Sequence, residues 1–86
     1  MLILTDGVFT DEIDDALVLL DTLQERVVVL QTEEKLILQG LLSEEIEKVV
    51  CKMKESYIGE DDTIEKDVRN FYEKLIASGF AKEAVK

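Results

Sequence analysis

Two apolar runs decide the fold: Ala16-Leu17-Val18-Leu19-Leu20, ended by Asp21, and Arg26-Val27-Val28-Val29-Leu30. The second is rich in β-branched residues, which suit a pleated surface. Four residues, Thr22 to Glu25, separate Asp21 from Arg26, a gap short enough for an antiparallel hairpin. The loop lacks the usual Gly or Asn, so its turn type stays open. A helix through residues 16 to 31 is the competing reading, and the valine run argues against it.

Upstream, Leu2 to Thr5 is a short apolar run that stops at the turn pair Asp6-Gly7. Val8 and Phe9 extend or restart it. Thr10 to Asp15 is acidic and reads as a solvated loop. Downstream, three helices are predicted. Thr32 caps a short one carrying Leu36, Ile37 and Leu38, which Gly40 closes. Ser43 caps the next, with Glu44, Glu45 and Glu47 in its first turns. Ile46, Val49, Val50 and Met53 form its apolar stripe, from which Cys51 falls away. Tyr57-Ile58-Gly59 ends that helix, and Glu60-Asp61-Asp62 forms an acidic loop. Asp62 and Glu65 have capping-box spacing. The last helix carries Ile64, Val68, Phe71, Tyr72, Leu75 and Ile76. Gly79 stops it and Phe80 folds back, leaving 81–86 as a frayed tail.

Strands followed by helices indicate an α+β fold. The reading is one domain over residues 1–86, with 1–15 as an N-terminal strand and acidic loop. A three-stranded antiparallel sheet covered on one face by three helices must leave a strand edge open.

The length of 86 residues and the 47% apolar content support one modest core. No apolar run is long enough to cross a bilayer, and the start lacks the basic region of a secretory signal. One cysteine cannot form an internal disulfide, so the expected compartment is the cytoplasm. Acidic residues outnumber Lys and Arg by 20 to 10, giving a net charge of −10. Phosphate binding draws on cations, so nucleic acid is an unfavourable partner, and anionic membranes are repelled.

Catalytic chemistry finds little support. Without histidine there is no Ser-His or Cys-His pair. Cys51 has no evident activating partner and reads as an inert surface thiol. The groups Asp11-Glu12-Asp14-Asp15 and Glu60-Asp61-Asp62 lack the alternating ligands, Gly and terminal Glu of a calcium loop. The four glycines are scattered, with no phosphate-binding loop. Ser43, Ser56 and Ser78 lack the Asp-Ser-Leu setting of an acyl carrier. No metal, cofactor or catalytic residue is expected.

Several of these stretches resemble the PqqD-like peptide-recognition family, whose members run three strands and then three helices in a winged helix-turn-helix-like fold. Ala16 to Asp21 is similar to the family's second strand, which often ends in Leu-Leu-Asp. Arg26 to Leu30 is similar to its third strand, and Ser43-Glu44-Glu45-Ile46 to the start of its second helix. Glu65 to Phe80 is similar to its closing helix, where Asp-Val, Phe, Leu and Gly-Leu recur at the spacing of Asp67-Val68, Phe71, Leu75 and Gly79-Phe80. The chain departs from the family at Leu30-Gln31, where Leu-Asn is usual, and in its glycine-free hairpin.

The resemblance implies a non-enzymatic recognition element, a peptide chaperone for the leader of a ribosomally made precursor. The leader would add as a strand to the edge of the third strand and lie against the third helix. Val27, Val28, Val29 and Leu30 would supply the edge, and Val68, Phe71, Tyr72 and Leu75 the groove wall. Only one alternate pair, Val27 with Val29 or Val28 with Leu30, can meet that groove. The implied partners are the precursor and a modifying enzyme, either a leader peptidase or a radical S-adenosylmethionine enzyme. The Leu-Leu-Asp ending leans toward lasso-peptide pathways. The rival readings are another protein-interaction module or a winged-helix transcription regulator. A regulator needs a basic recognition helix, yet Lys48, Lys52 and Lys54 are offset by Glu44, Glu45, Glu47 and Glu55. A gel-shift assay against random duplex DNA at about 150 mM salt is expected to show no submicromolar retardation.

Overall fold

A computed structural model describes residues 1–56 and 61–84. The order is β1 (Leu2–Leu4), β2 (Val8–Ile13), β3 (Ala16–Asp21), β4 (Arg26–Leu30), α1 (Thr32–Ser43), α2 (Ile46–Ser56), α3 (Asp61–Ala77) and β5 (Ala81–Glu83). Strands β2, β3 and β4 form an antiparallel sheet in that order, and β1 pairs with β5 in a separate ribbon. The fold is α+β and winged-helix-like, as expected, but the first strand of the sheet is not the one read from sequence.

The acidic segment predicted as a loop is strand β2. Its pairing with β3 runs from Val8↔Asp21 to Ile13↔Ala16 and closes in a two-residue turn at Asp14-Asp15. Asp14 sits at φ 55°, a left-handed conformation that aspartate tolerates better than most residues. An edge strand leaves one side to water, so carboxylates at Asp11 and Glu12 cost little there. Gly7 makes the bend that separates β1 from β2, at φ 84°. Its carbonyl accepts from the Thr22 N–H (2.9 Å) and hydroxyl (2.8 Å), joining this bend to the β3–β4 loop.

The helix boundaries also move. Gly40 does not close α1 but lies inside it, where α2 crosses: a Cβ there would stand 3.1 Å from Val49 Cγ2. Ser43 ends α1 instead of capping α2, and its hydroxyl donates to the Gln39 carbonyl at 2.9 Å. Gln31, not Thr32, occupies the N-cap, without a side-chain bond. Thr32 begins the helix at φ 52°, a strained setting for a β-branched residue. Asp61 and Asp62 lie within α3, so the Asp62–Glu65 capping box does not form. Glu65 instead faces Arg69 at 3.4 Å and Lys54 at 3.7 Å. The expected ending at Tyr57-Ile58-Gly59, and Glu60, lie outside the described residues.

The predicted stop at Gly79 holds. Gly79 takes φ 84°, its N–H donates to Ile76 O, and the Phe80 N–H donates to Leu75 O, both at 3.1 Å. This is a Schellman ending, which turns Phe80 back onto the helix. The segment after it is not frayed at 81–83. Leu2 and Ala81 are buried on the β1–β5 ribbon, and burial of these apolar side chains holds the ribbon to the core.

The helices cover one face of the sheet. Leu17, Leu19 and Leu30 point toward them and join Leu38, Leu41, Val49, Val50 and Val68 in the core. Among the described residues no helix is long and apolar enough to cross a membrane.

The β3–β4 loop supplies a polar anchor. Asp21 is buried, and its Oδ1 accepts the N–H groups of Leu23 and Gln24 at 3.1 Å each. Its Oδ2 accepts from Arg26 Nε at 3.2 Å and Nη2 at 2.7 Å. These bonds replace the missing glycine or asparagine, and Glu25 takes the left-handed position at φ 55°. The Arg26 hydrogen bonds, then the backbone donors, hold the Asp21 carboxyl below its usual range. A depressed acid stabilises the fold above its unfolded pKa of about 4 and loses that contribution as pH falls through the folded value. Asp21→Asn is therefore expected to melt below the parent at pH 7. The gap should close on acidification below about pH 4, as thermal melts across pH would show.

Candidate peptide-binding groove

The two edges of the three-stranded sheet differ in chemistry. The β2 edge carries Asp11 and Glu12, charges that discourage pairing with another chain. The β4 edge runs Val27-Val28-Val29-Leu30 without a charge, and no described strand pairs on its outer side. Unpaired N–H and C=O groups on such an edge are a template for an added strand.

Beside this edge, α3 forms the second wall of an open groove of about 590 Å³. Val28 and Leu30 line it from β4, Phe71, Lys74 and Leu75 from α3, and Phe80 from the chain that follows. The Schellman ending explains the placement of Phe80, because it returns the ring toward the Leu75 side of the helix. The Arg26 guanidinium lies 4.3 Å from the centroid of the Phe80 ring, a cation–π contact that ties the start of β4 to the end of α3. Lys74 and Glu34, also at the groove, have no ion-pair partner among the described residues. The site is thus an apolar slot with one cation and one carboxylate beside it.

Strand parity sorts the predicted residues. Val28 pairs with Leu19 and Leu30 with Leu17, on the helix-covered face. Val27 pairs with Leu20 and Val29 with Val18, on the opposite face, where Val27 is 64% and Val29 55% exposed. Of the two alternatives, the pair at the groove is Val28 with Leu30. On α3, Phe71 and Leu75 line the slot, but Val68 and Tyr72 do not. Val68 is buried in the core. Tyr72 lies about 100° around the helix from Phe71, and its hydroxyl donates to Glu83 Oε1 on β5 at 2.6 Å. Burial, then the Glu83 carboxylate, push the Tyr72 phenol up to about 12. Leu19, Glu34, Lys74, Ala77, Ser78 and Phe80 line the groove without having been assigned to it from sequence. For Phe80 the Gly79-Phe80 stop was the available signal; for the others there was none, since their placement depends on how α1 and α3 dock.

The groove offers binding surface rather than reactive groups. Its hydroxyl, on Ser78, donates to Leu75 O at 3.2 Å. Cys51 is exposed on α2, away from the slot. Among the described residues no three His, Cys, Asp or Glu side chains gather to hold a metal.

No protein-family model and no curated protein matches the sequence. Solved structures do. The fold is similar to that of TbiB1 in complex with the TbiA(beta) leader peptide, with TM-score 0.83 and 25% identity over 96% of this chain and 98% of that one. It is similar as well to a lasso peptide synthetase B1 complexed with the leader peptide, with TM-score 0.83 and 24% identity over 95% of this chain and 98% of that one. The likeness covers nearly the whole chain, and it agrees with the resemblance noted in the sequence.

Leu75 is buried at the junction of core and groove. Leu75→Ala is expected to destabilise the fold by about 2–5 kcal/mol, read as a lowered melting temperature.

Proposed function

We propose that this chain is a leader-peptide recognition element that captures the leader of a ribosomally made precursor. The leader pairs as a fourth strand along the outer edge of β4, and alternate side chains enter the slot between β4 and α3. The observation that carries the reading is the uncharged run 27–30 of β4, unpaired by any described strand on its outer side and lying beside an apolar groove. The fold shared with two leader-peptide complexes supports it. Backbone hydrogen bonds to the edge supply affinity without regard to sequence, and the groove supplies selectivity.

In this reading Val28, Leu30, Phe71, Leu75 and Phe80 contact the leader, and the backbone of residues 27–30 pairs with it. The chain performs no chemistry of its own. It works in the cytosol, holding the leader while a leader peptidase or another modifying enzyme acts on the precursor. Lasso-peptide maturation is the pathway class that the likeness to a lasso peptide synthetase B1 favours.

Amide hydrogen exchange with and without the cognate leader tests the docking site. Protection is expected to rise along residues 26–31 and to change little in α2. Protection confined to residues 43–55 would remove the β4 edge as the site. Phe71→Ala is expected to weaken the leader about tenfold or more by calorimetry, because a truncated aromatic anchor commonly costs over 1 kcal/mol.

A further inference from the structure

The face of the sheet turned away from the helices is as distinctive as the edge. On most antiparallel sheets a solvated face is polar. Here the register gathers Phe9, Leu20 and Val27 in one row and Val18 and Val29 with Asp11 in the next, followed by Ile13 with Ala16. Phe9 is 58% and Ile13 55% exposed, so both resemble Val27 and Val29 in facing solvent. The patch continues into a cleft of about 780 Å³ where the Asp14-Asp15 turn, the end of β4 and the first turn of α1 meet. Leu36, itself exposed, adds to its wall. Large apolar side chains gathered on a solvated face and rimmed by charge are a mark of interaction sites, whereas single scattered ones are not.

The carboxylates around this patch outnumber its one cation, Lys35. Asp11 lies on the face and Asp14 and Asp15 at its end, and among the described residues their carboxylates have no ion-pair partner. Lys35 lines the cleft, but it is held by Glu12 at 3.4 Å and by the Asp15 carbonyl at 3.3 Å. A second copy would bring Asp11 against the same acidic face, between chains each of net charge −10. An anionic membrane meets the same repulsion.

We propose that this outer face is a second docking surface, built for a folded protein that presents an apolar patch rimmed by lysine and arginine. If the recognition-element reading holds, on which this assignment of the partner rests, that protein is the enzyme that modifies the precursor. Strand parity then divides the labour of β4. Val28 and Leu30 serve the leader groove, and Val27 and Val29 serve the enzyme from the other side of the same strand.

The test uses the full chain, the cognate leader and the purified enzyme that modifies the cognate precursor. Two variants probe the face: a Phe9→Thr/Ile13→Thr/Leu36→Gln triple, whose three positions are exposed and lie off β4 and off the leader groove, and the exposed single change Asp11→Lys. Enzyme binding, measured by interferometry without leader, is expected to fall at least tenfold in the triple variant. Asp11→Lys is expected to weaken it at least threefold and to reduce its salt dependence. Leader affinity should stay within twofold in both. Parental enzyme affinity in either variant would overturn the proposal. So would sedimentation showing a dimer of the parent that the triple variant dissolves, since the occupant would then be a second copy. A parent that binds the enzyme through this face but not the leader would overturn the recognition-element reading alone.

Discussion

The buried carboxylate of Asp21 sets where β4 begins and therefore what each of its residues faces. Two backbone N–H groups of the loop and both Arg26 contacts converge on it. With Asp21 opposite Arg26, Leu19 falls opposite Val28 and Leu17 opposite Leu30. A slip of one residue would send Val27 and Val29 into the core and turn Val28 and Leu30 outward. Arg26 also reaches Phe80, so the same guanidinium that closes the hairpin ties it to the end of α3. Hairpin register and groove geometry thus meet in one arginine, which pairs with Asp21 and stacks on Phe80.

That arrangement places very different surfaces on the three sides of one short strand. One face of β4 joins the core and the groove. Its edge offers unpaired backbone groups. Its other face is apolar and open, bordered by unpaired carboxylates. Edge strands of this kind invite self-association, and proteins usually blunt them with charge. This chain has charge along β2 and none over residues 27–30 of β4. Net charge still opposes pairing between copies, because repulsion between acidic chains acts before edges can meet. A strand that avoids its own kind while staying open to a peptide is consistent with a recognition role.

The helices matter to this site mainly through where they end. The Schellman turn at Gly79 directs Phe80 into the groove wall and then releases the chain into β5. The β1–β5 ribbon in turn fixes Tyr72 through Glu83, on the side of α3 away from the slot. Adjacent residues Phe71 and Tyr72 therefore have separate duties, one at the groove and one bracing the ribbon.

Local chemistry in the sequence determined the hairpin strands, the apolar stripes of α2 and α3 and the stop at Gly79, because periodicity and glycine at a left-handed position are short-range signals. It also pointed to an open edge, since a three-stranded antiparallel sheet has two edge strands. Other features needed the tertiary structure. Thr10–Ile13 is a strand because β3 offers it a partner, and residues 81–83 are one because β1 does; neither segment has a strong strand signal of its own. Gly40 reads locally as a helix stop, but a crossing helix needs the space where its side chain would be. Which valines meet the groove, and that Tyr72 does not, followed only from register and from the rotation of α3 against the sheet. Those are long-range pairings, and a period-two strand looks the same from the sequence in either register.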